Sequence, residues 1–336
     1  MSVATGISAV VVELDDEAVA RPLLNLADLP SVVIGVARDD PRGEAKGWVD
    51  VLLVDEPDGG SAAVAPAGGI DHGLGILLEA IEKTPAAATA FAMLLRGKDD
   101  HSIGECLLLE SLVYSVLQAG SEFQTWLGSL RRVEPATDRG PAVEIQREDD
   151  ELVINLTRPH VHNAFNSKMR DELVEALTVA SVDPSIRSIV LRGEGPSFCS
   201  GGDLSEFGTL ADPASAHLLR VTRNVARLMA PLRQRLQVRL HGACIGAGIE
   251  LAAFAGRVTA APDTHLMLPE VSMGLIPGAG GTVSIPRRVG RHRTAWLALS
   301  GARIDAATAL EWGLVDEIVV PVEERPLLDA HGVGHG

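Results

Sequence analysis

The chain has 336 residues, is 46% apolar, and carries 29 Lys and Arg against 45 Asp and Glu, a net charge of −16. That apolar share supports a sizeable core and argues against a disordered chain. The negative balance argues against nucleic acid as partner, because a phosphate-binding surface needs a basic stripe that releases counterions.

A length near twice ~150 residues suggests two domains. The charge is uneven: residues 1–140 hold 10 basic and 22 acidic side chains (net −12), and residues 141–336 hold 19 and 23 (net −4). No uncharged apolar run of membrane-spanning length occurs, so no membrane association is expected. The apolar start lacks the basic region of a signal peptide. Cys106, Cys199 and Cys244 are too scattered for a disulfide framework or a zinc spacing. No metal site is expected, and a reduced cytoplasm is the expected compartment.

In chain order, VVVEL (10–14), SVVIGVA (31–37) and WVDVLLVDE (48–56) read as short strands, closing a region 1–70 that ends in a Gly/Ala/Pro loop. Residues 71–132 change character: Leu77, Leu78 and Ile81, then Ala87, Phe91, Leu94 and Leu95, then Ile103, Leu107, Leu108, Ser111, Leu112, Ser115 and Val116 recur at helical spacing. Phe123, Trp126, Leu127 and Leu130 make a last short stripe. The polar, Pro- and Gly-containing stretch 133–142 reads as a linker. Beyond it, ELVINLTR (151–158) is a strand and SKMRDELVEALTVA (167–180) an amphipathic helix capped by Asn166 or Ser167. SIVLRG (188–193) is a strand, 213–230 one helix, RLQVRLHG a strand and GIELAAFA a short helix. This alternation predicts an α/β fold with a largely parallel sheet.

Two glycine-rich turns follow strands: Ser200-Gly201-Gly202-Asp203, and Gly246-Ala247-Gly248 opening a helix. Such turns expose backbone N–H groups, and a helix start adds positive potential. Facing each other, they would form an oxyanion hole. A glycine is more often a packing device, so each turn alone is a weak signal. Neither matches the spacing of a nucleotide-binding loop. Glu250 and Glu270 each sit among apolar residues, where a carboxylate's pKa rises toward neutrality and suits acid–base work. The plainer alternative is one cap and one surface acid. Cys199 reads as a small buried thiol. Arg287, Arg288, Arg291 and Arg293 read as either a phosphate-meeting cluster or a solvated helix face. His160, His162 and His241 receive no role, and His331 and His335 lie in a tail, 321–336, that reads as a frayed end.

Taken together, RPHVHNAFNSKMRDEL, FCSGGDL, HGACIGAGIELA, LPEVSMGLIPGAGGT, IPRRVG and LSGARIDAATALEWGLVDEIV resemble the crotonase (enoyl-CoA hydratase/isomerase) superfamily in order and spacing, over a core of 143–320. The resemblance implies a crotonase-like ββα superhelix, acyl-CoA chemistry and a homotrimer or dimer of trimers. It assigns Gly202 and Ala247 as the two N–H donors to a thioester oxygen, and Glu250 and Glu270 as the paired acid/base glutamates of the hydratases. Ser200, Gly201, Asp203, Gly246 and Gly248, in the same turns, are expected to bind substrate. No tightly bound cofactor is implied; coenzyme A enters as part of the substrate. Other chemistries of the superfamily (isomerase, thioester hydrolase, oxygenase) and a non-catalytic acyl-CoA-binding subunit remain alternatives.

Two positions depart from the usual pattern: Arg239, where small or apolar residues are common, and Gly256, where Asp is common. A larger departure is order. Members usually continue into further helices after the GLVDEIV segment, whereas here LLEAIEKTPAAATAFAMLLRG and ECLLLESLVYSVLQAGSEFQTWLGSLRR, within 71–132, resemble those helices. A circular permutation is therefore expected, with the helical subdomain preceding the core.

Overall fold

A computed structural model describes residues 8–15, 29–41, 43–97, 101–131, 134–138, 140–210 and 212–320. The tail expected to fray, 321–336 with His331 and His335, lies outside them.

Three Val-rich strands, β1 (Ala9–Glu13), β2 (Val32–Asp39) and β3 (Val51–Glu56), form a parallel sheet in that order. Four helices follow: α1 (Ile70–Lys83), α2 (Pro85–Arg96), α3 (Ile103–Gln118) and α4 (Ser121–Ser129). Ser102 and Glu105 close α3's start as a reciprocal capping box. Buried Leu77, Ile81, Ala87, Ala88 and Phe91 join α1 and α2 to the main core.

That core begins with the hairpin β4 (Val143–Glu148) and β5 (Glu151–Leu156). The first of these strands is absent from the sequence reading: VEIQRE has only Val143 and Ile145 as apolar residues, and it buries Val143 alone. Helix α5 (Ser167–Val182), capped by Asn166 Oδ1 on Met169 N, leads to β6 (Ser188–Gly193). The expected single helix over 213–230 is two, α6 (Pro213–Thr222) and α7 (Val225–Leu232). Asn224 between them turns extended, and its side chain caps Arg227 N.

Then come β7 (Leu236–Leu240), β8 (Ala243–Ile245), α8 (Ala247–Ala252), β9 (Arg257–Ala260) and β10 (His265–Met267). The described chain closes with α9 (Gly281–Ser284), α10 (Pro286–Ser300, broken at Gly290), β11 (Ile304–Asp305), α11 (Ala306–Trp312) and β12 (Glu317–Ile318). The main sheet has the order β12-β9-β7-β6-β5-β4, parallel except for the β4–β5 hairpin. A second sheet, β11-β10-β8, stands beside it.

The N-terminal sheet docks on this core rather than hanging from it. Arg291 Nη2 donates to Gly47 O at 2.9 Å and Val49 O at 2.8 Å. Buried Asp50 accepts Arg96 Nε at 2.8 Å, Arg96 Nη2 at 2.6 Å and Val33 N at 2.8 Å, tying α2 to β2. Replacing Asp50 with Ala takes a buried carboxylate away from the Arg96 guanidinium and from Val33 N, and breaking a buried pair costs about 3–5 kcal/mol. Urea unfolding of the variant measures this; a loss under ~1 kcal/mol would mean the pair is effectively solvated.

The stretch 133–142 is pinned where described. Asp138 pairs with Arg158 Nε at 2.9 Å, and Ala142 N and Val143 N both donate to Glu172 Oε2. Gly256 has a physical reason at its unusual position: a Cβ there would lie 2.4 Å from Arg233 O, so the Asp common in relatives does not fit this turn.

Candidate active site

The two glycine-rich turns meet because the chain after β6 runs beside β8. Cys199 N donates to Ala243 O at 3.1 Å and Ile245 N to Cys199 O at 3.0 Å, a short parallel bridge. This register lays Gly201 against Ile245 and Gly246, near the carboxyl ends of the sheet strands, where open α/β sheets hold their ligands. Close approach demands small residues: a Cβ on Gly248 would lie 2.5 Å from Cys199 O. Gly246 takes φ +48°, and a Cβ on it would lie 2.2 Å from Glu270 Oε1.

Within these turns most polar groups are already engaged. Gly246 N donates to Met267 O and Ser200 N to His162 O, both at 3.0 Å. Asp203, expected to bind substrate, gives its carboxylate to Arg158 Nη2 at 3.0 Å and to the backbone and hydroxyl of Ser205. It therefore stiffens the turn. Gly202 N and Ala247 N donate to no acceptor among the described residues. These are the two amides named from sequence.

Glu250 lies on α8, 2% exposed, its Oε2 accepting Ala279 N at 2.7 Å and Gly281 N at 2.9 Å. Glu270 begins a 3-10 turn (Glu270–Met273), and its Oε2 is buried without a hydrogen-bond partner among the described residues. Burial, first of all, pushes both carboxyls well above the usual carboxylate range. Neighbouring negative charge adds to this: Glu270 and Glu110 act on Glu250, and Glu110 acts on Glu270. Like charges in one dry site share protons rather than both ionise.

The third carboxylate, Glu110, comes from α3. Its Oε1 accepts Gly280 N at 2.8 Å, and its Oε2 accepts Thr282 N at 3.1 Å and Thr282 Oγ1 at 2.5 Å. Glu110 and Glu250 thus grip the same loop, 279–282, from opposite ends of the chain. The Tyr114 ring, one helical turn on, packs on Gly278, where a Cβ would lie 2.5 Å from it. Burial raises the Tyr114 pKa, and Glu270 and Glu250 act on it in the same direction. From α4, Phe123 stacks on Trp126 at 5.7 Å, and Trp126 meets Phe207 edge-on at 5.7 Å. Phe207 in turn covers Gly202, where a Cβ would lie 2.8 Å from its ring. The N-terminal helices therefore wall the site of their own chain. Sequence reasoning missed Glu110 and Tyr114. The available signal was a Glu at helical spacing between Leu107 and Tyr114, on the stripe taken to be apolar.

The four arginines at the start of α10 do not act together. Arg288 donates to Ala253 O and Ala255 O, Arg287 to Val283 O, and Arg291 to the N-terminal sheet. Arg293 lies over the Trp312 ring at 5.2 Å. They are ties between elements. The Cys199 thiol is buried, and burial pushes it up to about 12. Its neighbour His162 bonds Ser197 Oγ at 2.9 Å. No group of three His, Cys, Asp or Glu suited to a metal occurs among the described residues.

Residues 147–327 match the sequence profile described as enoyl-CoA hydratase/isomerase. The chain belongs to that family. It is 36% identical over 176 residues, 52% of its length, to the 2,3-dehydroadipyl-CoA hydratase of Escherichia coli, covering 68% of that protein. It is 33% identical to the 1,2-epoxyphenylacetyl-CoA isomerase of the same organism, over 50% of this chain and 66% of that one. Among solved structures, an enoyl-CoA hydratase/isomerase from Mycobacterium abscessus matches at 33% identity and TM-score 0.50, over 53% of this chain and 71% of that one. An enoyl-CoA hydratase from Geobacillus kaustophilus matches at 29% and TM-score 0.50, over 54% and 69%. The crotonase fold of the core and its acyl-CoA class of chemistry follow from family membership. The profile begins after α1–α4, so the helices that complete the site lie outside the matched segment.

Proposed function

We propose that this protein is an enoyl-CoA hydratase, adding water across the 2,3-double bond of an acyl-CoA thioester. The observation that carries the reading is the pair of glutamates, buried Glu250 and half-buried Glu270 with its Oε2 shut away from solvent, beside two unengaged amides, Gly202 and Ala247. In this reading the amides receive the thioester oxygen as it gains charge. One such donor is worth about 3 kcal/mol in the transition state of other enzymes. The water oxygen bonds to C3, its proton passes to the ionised glutamate, and the protonated glutamate delivers its proton to C2. By resemblance Glu250 is the base toward water and Glu270 the acid toward C2, a division within a pair that shares its proton: the two N–H donors at Glu250 act against the larger upward push of burial, Glu270 and Glu110.

Isomerisation uses the same acid–base pair without water, and the similarity to a CoA isomerase keeps it as the second reading. Incubation with crotonyl-CoA and longer enoyl-CoAs in ¹⁸O-water separates the two. Hydration consumes the enoyl absorbance and places ¹⁸O at C3, whereas isomerisation moves the double bond without label. Turnover of none, with tight CoA-ester binding, points to a binding subunit and overturns the proposal.

We also infer that α1–α4 stand in for the helices that usually follow the core, in a permuted order. Their packing on α6, α7, α9 and α10 of the same chain supports this.

A further inference from the structure

Among the described residues, one cation in a recess next to the glutamates' loop forms no ion pair. Arg220, on α6, lines a recess of about 60 Å³ together with Phe165, Arg223, Leu251, Gly278 and Ala279. Ala279 is the residue whose N–H holds Glu250, Gly278 carries the Tyr114 ring, and Phe165 is bridged to Gly202. The recess therefore opens within one side chain's reach of the site of chemistry. Arg170 and Arg223 at its edge both approach Asp171, at 2.9 and 4.0 Å. Arg220 forms no ion pair among the described residues. Its contacts are neutral: Ser115 Oγ, Ser111 Oγ and Gln118 Oε1 at 3.4 Å each for the last two, and the Tyr114 ring at 4.5 Å. Burial lowers its pKa, opposed by Tyr114 and Glu110, the acidic groups that act on it. A half-buried guanidinium without a counter-ion is costly in the empty site, and an anion placed in the recess offsets that cost through charge-assisted hydrogen bonds.

We propose that Arg220 selects substrates whose acyl chain ends in a carboxylate, received in this recess. The proposal rests on the acyl-CoA reading above. The phosphates of coenzyme A are the other source of anionic oxygen. They lie a full pantetheine arm from the thioester, so a cation in the recess lined by Ala279, whose N–H holds Glu250, meets the acyl end.

The experiment compares trans-2-hexenoyl-CoA with its ω-carboxy counterpart on the full-length protein. The carboxylated substrate is expected to have a kcat/KM about ten- to hundred-fold higher, the range for a hydrogen bond to a charged group. Arg220→Met should bring that ratio toward one, and Arg220→Lys should restore part of it. A proportional fall of both substrates would mean that Arg220 only clamps α6 to α3, and would overturn the proposal. So would a wild-type preference for the neutral chain. Calorimetric binding of saturated adipyl-CoA against hexanoyl-CoA to the wild-type protein asks the same question without turnover or variant. Tighter adipyl-CoA binding with no hydration sinks the hydratase reading alone, and equal binding of the two sinks this one. If Arg220→Met weakens free coenzyme A as much as adipyl-CoA, the anion is a phosphate and the acyl-carboxylate reading fails.

Discussion

Glu250→Gln and Glu270→Gln should each slow hydration about 10²–10⁴-fold, the usual contribution of a positioned acid or base, while making the fold more stable. The second effect follows from burial. Both carboxyls are held above their ordinary range, so near neutrality the native pair keeps a proton that the unfolded chain has released. A raised native pKa means stability is full below the unfolded value near 4.3 and falls as pH rises through the raised range. A Gln does not titrate, so its gain over wild type should grow across that window and level off above it. At about 1.4 kcal/mol per pKa unit, a gain of about 1–3 kcal/mol is expected at pH 8. Urea midpoints at pH 5 and pH 8, set beside kcat, test both halves. Mild losses of activity in both variants would remove the pair from the mechanism. Unchanged midpoints at both pH values would mean the carboxyls are hydrated.

Glu110→Ala should damage the protein from a position far from the core in sequence. It removes the carboxylate that accepts Gly280 N, Thr282 N and Thr282 Oγ1 in a buried loop. Losing a buried acceptor costs about 1–3 kcal/mol per donor before relaxation, so a loss of about 3–5 kcal/mol is expected. Glu110→Gln is the gentler variant, since one oxygen survives while an amide N–H opposes a donor. Its informative readout is the pH–rate profile. Removing a negative charge beside Glu250 and Glu270 lowers both macroscopic pKa values, so the whole bell should move to lower pH. A drop in kcat with an unmoved profile would assign Glu110 to loop packing only.

How much of this was legible in the sequence differs by residue. The two glycine-rich turns and the glutamates were legible only through the resemblance of several motifs taken together: Gly201, Gly202, Gly246 and Gly248 mark close backbone approach, and Glu250 and Glu270 stand among apolar neighbours, but each signal alone is weak. The strands of the N-terminal sheet and the helices up to Ser129 read well because apolar periodicity reports burial on one face. The helix over 213–230 was misread as continuous because periodicity runs through Asn224, whose side chain caps the next helix instead. The arginines of α10 looked like one cluster because adjacency in sequence says nothing about the direction each side chain takes.

By itself, then, the sequence determined the α/β class and, through several short motifs taken together, the family; the roles of the two amides and two glutamates are what that resemblance implies. Only the tertiary structure decided what surrounds them. Glu110 enters the site from 170 residues before Gly280, and Arg220 meets Ser111, Ser115, Gln118 and Tyr114 only because α6 packs on α3. Asp203 is tied to Arg158 and Ser205 by packing that no local pattern announces. Burial, partner choice and pKa depend on long-range packing, and a linear pattern carries no record of which distant group fills the space beside a residue.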